Sequence, residues 1–432
     1  MRQDEGVTSQ PTNVLDELQW RGLLSDTTDP KALREALADE VVTLYCGFDP
    51  TGPSLHVGHL MQTLTLRRFQ LAGHRPLALV GGATGLIGDP KMAGERTLND
   101  AQVVEEWSGR IRAQLQRLLD FGGGPTGALL VNNYDWTAKL STIDLLRDVG
   151  KHFSVNRMLD REAVAARLAS TGISFTEFSY VLLQSNDYLE LFRQHGCTLQ
   201  VGGSDQWGNI TAGVELVRRA EGVSVHALTT PLLTKADGSK FGKTEGGTIW
   251  LDPALTSPYA FFQYWINVDD DDADALLKAF TFLDREAVET LAEATATRPA
   301  AREAQRALAR ELTTLVHGAE ETQRVEAASK ALFGQGALDE LAPDTLASAL
   351  REAPNVTVDG ASIPSVADLF VATGLVASKS AARRTGAEGG LSVNNERVVD
   401  PDVIPTRQDL LHGRWLVLRR GRRQFAGVEV TG

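Results

Sequence analysis

Apolar and polar positions along the first half of the chain fall into short buried runs separated by longer helical stretches. Val41 to Gly47 is a run of strand formers, followed by Pro50, Gly52 and Pro53, and then by a helix pattern from Leu55 to Ala72 that Gly73 stops. Leu77 to Val80 is a second apolar run ended by glycines. Leu129 to Val131 and Thr198 to Val201 read as further buried strands, with helical stretches between them. Strand, glycine turn and helix in repetition predict a doubly wound parallel sheet: a Rossmann-like α/β domain over residues 1–235, with ligands at the carboxyl ends of the strands. From Ser257 the pattern turns helical, and Ala304, Leu308, Leu312 and Leu315 recur at three- and four-residue steps on one face. Residues 236–340 are therefore expected to hold a loop and an α-helical domain. Scattered Gly and Pro from Gly334 to Ser362 suggest a linker with some helix, placed over 341–362, and 363–432 reads as a small α+β unit with a helix at Ser365 to Gly374. No internal repeat is visible.

Composition narrows the class. A chain of 432 residues is too long for one ordinary core, and 42% apolar with 23% charged residues is the profile of an average globular protein. No apolar run is long enough to span a bilayer, and Met1 to Thr12 is polar with both charge signs, unlike a secretory signal. Cys46 and Cys197 alone cannot build a disulfide framework, so a reducing cytoplasm is expected. The net charge of −13 argues against a chain coated in nucleic acid, but the C-terminus departs from it. Lys379 to Arg423 contains ten Lys/Arg against five Asp/Glu. Lys379, Arg383, Arg384, Arg419 and Arg420, with the Arg422-Arg423 doublet, are candidates to meet RNA, the alternative being a solvated face.

Four segments carry candidate chemistry. In the turn from Tyr45 through Gly47, Asp49 and Thr51 to His59, Ser54 is expected to cap the following helix. His56 and His59 then share its first turn, where free N–H groups and the helix dipole favour an anion. A zinc site lacks a third ligand there, and two surface histidines remain an alternative. Lys235 to Gly247 holds three lysines and four glycines, suited to closing over a departing phosphate or to a plain hairpin tip. Tyr180, Gln184 and Asp187 form one helical stripe, set either to pair internally or to read a polar ligand. Val201 to Asn209 runs from strand through Gly202-Gly203 to helix, placing Asp205 to meet ribose hydroxyls.

With these residues in view, the chain resembles the class I aminoacyl-tRNA synthetases, and within them the bacterial tyrosyl enzymes. His56-Val57-Gly58-His59 matches the first signature of that class, and Lys240-Phe241-Gly242-Lys243-Thr244 is similar to its lysine-rich second signature. Tyr45 to Thr51, Leu79 to Asp89, Asp148 to Asn156, Thr171 to Tyr180 and Val201 to Gly213 extend the likeness, and Ser378 to Arg397 resembles an RNA-binding module shared with a small-subunit ribosomal protein (S4-like). The resemblance implies that Tyr45 and Asp187 hydrogen-bond the substrate phenol, that Asp89, Tyr180 and Gln184 hold its ammonium group, and that Gln206 lies near its carboxylate. Gly47, Asp49, Gly203 and Asp205 would line the ATP site. Thr51, His56, Lys240 and Lys243 would stabilise the departing phosphates, with His59 nearer the ribose. The loop Asp89 to Arg96 is a residue shorter than the usual form and lacks its second lysine, leaving Lys91 and Arg96 to serve there.

The activity so implied is tyrosine activation by ATP with Mg²⁺, then transfer to tRNA(Tyr), by a homodimer without a tightly bound cofactor or protein-held metal. Two rivals fit less well. A small-molecule nucleotidyltransferase has no use for the basic C-terminal unit, and a non-catalytic RNA-binding relative has no reason to keep Thr51, His56, Lys240 and Lys243 together. Asp187 with Tyr45 favours tyrosine over tryptophan.

Overall fold

The computed structural model describes residues 13–90, 98–234, 241–244 and 247–432. Two compact units make up the chain: one runs through Asp252 and takes back Asp269–Pro299, the other holds Pro253–Val268 and Ala300–Gly432.

The first unit is built on strands β1 (Thr43–Phe48), β2 (Arg75–Val80), β3 (Leu129–Asn132), β4 (Cys197–Gly203) and β5 (His226–Thr230), ordered β3-β2-β1-β4-β5 and all parallel. Central β1 pairs Tyr45 with Leu77 of β2 on one side and with Gln200 of β4 on the other. The winding reverses between β1 and β4, the crevice where doubly wound sheets bind ligands. The expected Rossmann-like class is present, and the four strands read from the sequence lie close to their expected places. β5 escapes that reading because its sequence, His226-Ala227-Leu228-Thr229-Thr230, ends in two buried threonines. Their hydroxyls are used: Thr229 Oγ1 donates to Asp26 Oδ2 at 3.2 Å, and Thr230 Oγ1 accepts from Gln62 at 2.7 Å.

The helical region after Ser257 divides in a way that periodicity does not reveal. Ser257 caps the helix Pro258–Ile266, and that helix packs with Glu303–His317 in the second unit. The helices Asp270–Phe280 and Arg285–Thr297 belong instead to the first unit. Residues 341–362 hold a strand of the C-terminal sheet besides the helix expected within that linker. Pro343–Glu352 is a helix with Leu346, Ala349 and Leu350 buried, and Asn355–Asp359 is a strand. That strand pairs in parallel with Gln424–Thr431, along Gly427 to Thr431, so the C-terminal sheet begins before residue 363. The remainder of that sheet encloses Phe370, Leu391, Leu416, Leu418 and Val428.

Candidate active site

At the end of β1, Gly47 is exposed, and the chain turns through Asp49 and Thr51, whose N–H donates to the Asp49 carbonyl at 2.8 Å. The helix that follows, Val57–Leu71, is capped by His56 rather than by Ser54. His56 Nδ1 accepts from the Gly58 N–H at 3.0 Å, and His59 Nδ1 accepts from the His56 N–H at 3.3 Å. Ser54 is engaged elsewhere: its hydroxyl donates to the Leu55 carbonyl at 2.7 Å and accepts from Gln114 at 2.9 Å. The histidines thus form a reciprocal capping box and use up N–H groups that the sequence reading left open for an anion. Because each Nδ1 accepts, the neutral rings carry their protons on Nε2. The rings stack with centroids 3.9 Å apart. A Cβ at Gly58 would lie 2.9 Å from His56 Cε1, so this glycine makes room for the histidine's own ring. Burial and the adjacent His56 hold His59 well below the usual imidazole range.

The face of the long helix Phe175–His195 meets β1 deeper in the unit. Tyr45 is 1% exposed, and its hydroxyl has no hydrogen-bond partner among the described residues. Burial, reinforced by the charge of Asp187, raises this phenol well above its usual range. Asp187 is itself buried and pushed up to about 8, by burial first, with Asn133 and Trp136 pulling the other way. Asn133 Nδ2 donates to Asp187 Oδ2 at 3.0 Å, and Trp136 Nε1 donates to Oδ1 at 2.9 Å. Gln184, on the same helix, keeps its Oε1 buried without a partner among the described residues. A buried polar atom left unpaired costs about 1–3 kcal/mol, a cost that a polar ligand bonded to Tyr45 and Gln184 would remove.

The other acids are tied more closely than the sequence suggests. Tyr180 Oη donates to Asp49 Oδ2 at 2.7 Å, and Thr84 Oγ1 donates to Asp49 Oδ1 at 2.6 Å. Asp89 accepts from Gln206 Nε2 and from Asn209 Nδ2, each at 3.0 Å. Asp89 and Tyr180 still share a neighbourhood, since both act on Arg161, whose charge burial disfavours. Gly203 ends β4, and Asp205 follows, exposed; a Cβ at Gly203 would lie 2.6 Å from Asp205 Oδ1. Thr84, Asn133, Trp136, Arg161 and Asn209 were not singled out from the sequence. Asn133 and Trp136 follow β3 without a motif, and only the fold brings them to Asp187.

Lys240, Lys91 and Arg96 lie outside the described residues, as does the side chain of Lys243. The Lys243 backbone is described: it pairs with Thr248 in a short hairpin. That hairpin lies along the start of the histidine helix. A Cβ at Gly242 would lie 3.6 Å from Val57 Cβ, the Val57 N–H donates to the Ile249 carbonyl at 3.2 Å, and His56 bridges to Trp250. The two signature segments therefore meet as backbone.

Near the C-terminus the expected cations, on the helix Lys379–Ala387 and the strand Trp415–Arg420, are mostly engaged. Lys379 pairs with Asp368 at 2.6 Å and Arg383 with Asp402 at 2.9 Å, while Arg419 and Arg420 donate to the carbonyls of Phe333 and Leu375. Arg384 has no side-chain partner among the described residues. Exposed pairs are worth about 0–1 kcal/mol, so Lys379 and Arg383 can exchange them for phosphate at small cost.

The family described as tRNA synthetases class I (W and Y) matches residues 37–334, and the tyrosine–tRNA ligase SYY-like C-terminal domain matches residues 345–428. The tyrosine–tRNA ligase of Streptomyces avermitilis is 62% identical over 98% of this chain and 100% of its own length; that of Thermobifida fusca is 60% identical over 96% and 99%. Among solved structures, a C-terminally truncated mitochondrial tyrosyl-tRNA synthetase of Aspergillus nidulans aligns with a TM-score of 0.68 at 31% identity, over 74% of this chain and 94% of that one. With both halves of the chain matched and its relatives aligned nearly end to end, it belongs to the class I tRNA synthetases of the tryptophan and tyrosine group, and within that group to the tyrosine–tRNA ligases, which attach tyrosine to its tRNA.

Proposed function

We propose that the chain activates L-tyrosine with ATP and passes the acyl group to the 3′-terminal adenosine of tRNA(Tyr), with Tyr45 and Asp187 reading the substrate phenol. The observation that carries this is the buried, unpartnered hydroxyl of Tyr45 beside an acid that two donors hold in place. A substrate phenol bonded to both residues would give the Tyr45 hydroxyl its missing partner, whereas phenylalanine would leave that hydroxyl buried and unpaired. Tyrosyl enzymes facing phenylalanine are the standing example of that rule. Gln184 Oε1, Tyr180 and Asp89 are assigned to the ammonium group, and Gln206, held on Asp89, to the carboxylate.

The tyrosine carboxylate is ionised at neutral pH and needs no general base. One of its oxygens attacks the α-phosphorus, the bond to the bridging oxygen breaks, and pyrophosphate departs. The barrier falls through alignment and through donors aimed at developing charge. Those donors are assigned to Nε2–H of His56 and His59, the Thr51 hydroxyl and the ammonium groups of Lys240 and Lys243. Gly47, Asp49, Gly203 and Asp205 are assigned to the nucleoside, with Mg²⁺ arriving on the triphosphate. Lys379, Arg383, Arg384, Arg419 and Arg420 are assigned to RNA.

Homodimer formation in the cytoplasm completes the reading. Ile143, Leu146, Val155, Leu168 and Phe175 are exposed apolar side chains within one stretch of the first unit, the composition of a surface that a second copy would cover. Among the described residues no helix is long and apolar enough to cross a membrane. Pyrophosphate exchange into ATP, assayed with each of the twenty amino acids, tests the activity. Exchange with tyrosine alone supports it, and none with tyrosine removes it.

A further inference from the structure

Two arginines converge on the end of one helix behind the site. Arg21 donates to the carbonyls of Lys278 and Thr281, each at 3.0 Å, and to that of Leu283 at 2.8 Å. Arg68 donates to those of Ala279 at 2.9 Å and Thr281 at 2.8 Å. Both guanidinium groups are buried, and together they take up carbonyls that the C-terminus of Asp270–Phe280 leaves without intrahelical partners. Capping alone does not need this. A glycine or water closes most helix ends, while two like charges brought together out of water are costly. The arrangement instead fixes Phe280, which is fully buried between the clamped carbonyls. The ring of Phe280 lies 5.9 Å from that of Phe241, in the lysine-rich signature, two residues before Lys243. Arg68 stands on the same helix whose first turn carries His56 and His59.

We infer that Phe280, held by Arg21 and Arg68, is a positioning residue for tyrosine activation, acting through Phe241 to set the backbone of Lys243 against the histidine helix. This rests on the role assigned to Lys243 above. The clamp ties both signature segments to one helix end, so the cation-bearing strand keeps its register against the imidazole donors.

The test uses the full chain. Single-turnover adenylate formation, tyrosine affinity by equilibrium dialysis and thermal midpoint are measured for Phe280→Leu, for Leu277→Ala on the same helix, and for Lys243→Ala with and without Phe280→Leu. Phe280→Leu is expected to slow activation about tenfold or more with tyrosine affinity within about twofold, and to add less than about twofold in the Lys243→Ala background. Leu277→Ala, equally buried, serves as a packing control and is expected to lower the midpoint without slowing activation. Equal slowing by Leu277→Ala at a temperature where both variants are folded, or full additivity with Lys243→Ala, overturns the inference. Unchanged activation in Lys243→Ala alone removes the assignment on which it rests.

Discussion

Asp49 and Asp187 are joined by a short chain of hydrogen bonds. Thr84 Oγ1 donates to Asp49 at 2.6 Å, Asn133 Nδ2 donates to Thr84 Oγ1 at 2.9 Å, and the same Asn133 nitrogen donates to Asp187 at 3.0 Å. Asn133 is fully buried and also accepts from the Ala83 N–H at 2.7 Å. The acid assigned to the phenol and the acid assigned to the nucleotide are thus set by one amide.

Replacing that amide is expected to affect both substrates. Asn133→Ala removes a donor from a buried acid that is largely protonated at neutral pH, an interaction worth roughly 0.5–1.5 kcal/mol, or about 2- to 10-fold in tyrosine affinity. Tyrosine dissociation constants and ATP dependence of pyrophosphate exchange check this. A variant that weakens tyrosine alone separates Asp49 from the network.

Asp187 predicts a pH dependence of stability. Its folded-state value of about 8 lies above the ordinary carboxylate value, so the folded chain keeps a proton that the unfolded chain has released. Between about pH 4 and pH 8 this group therefore costs stability increasingly as pH rises, and its effect levels off above that window. Asp187→Asn carries no such proton. Relative to the variant, the wild-type thermal midpoint should fall steadily from pH 4 to pH 8; parallel profiles would show that Asp187 ionises freely.

The imidazole capping box separates two roles of His56. Asn is a good N-cap and His56→Asn keeps an acceptor for the Gly58 N–H, whereas His56→Ala loses it at about 1 kcal/mol. Both lose the Nε2–H donor. Activation should slow by a similar factor in each, about 100- to 1000-fold if one charge-stabilising donor is lost, while only the Ala variant loses stability. Normal activation in His56→Asn would confine this histidine to capping.

For the C-terminal sheet, the pairing of Asn355–Asp359 with the final strand sets the place to cut. Truncation after Glu352 should leave pyrophosphate exchange within about threefold, because the first-unit network is untouched, and should reduce tRNA charging strongly through loss of phosphate contacts. Charging retained at ordinary salt would show that the basic residues there do not hold RNA.

Much of the fold was legible because strand runs such as Leu77 to Val80 are apolar throughout and end in glycines. The candidate residues were legible too, but their partners were not. Tyr180 and Asp187 share a helical stripe by periodicity, yet the sequence could not say that Tyr180 meets Asp49 or that Asp187 meets Trp136, because those partners arrive across the sheet from positions 131 and 51 residues away. The sequence points to Ser54 as the cap because serine fits the usual preference, and an imidazole acceptor such as His56 is an uncommon substitute. Asp270–Phe280 has an ordinary amphipathic pattern, which says that a face is buried but not in which unit.

The central claim is that a buried acid and phenol distinguish tyrosine by its hydroxyl. Equilibrium dialysis of tyrosine and phenylalanine against the wild type, Tyr45→Phe and Asp187→Asn tests it most directly. Tyrosine should bind the wild type far more tightly than phenylalanine, and the gap should narrow in both variants, chiefly through weaker tyrosine binding. Phenylalanine binding the wild type as tightly as tyrosine, or a gap unchanged in Asp187→Asn, would contradict the account.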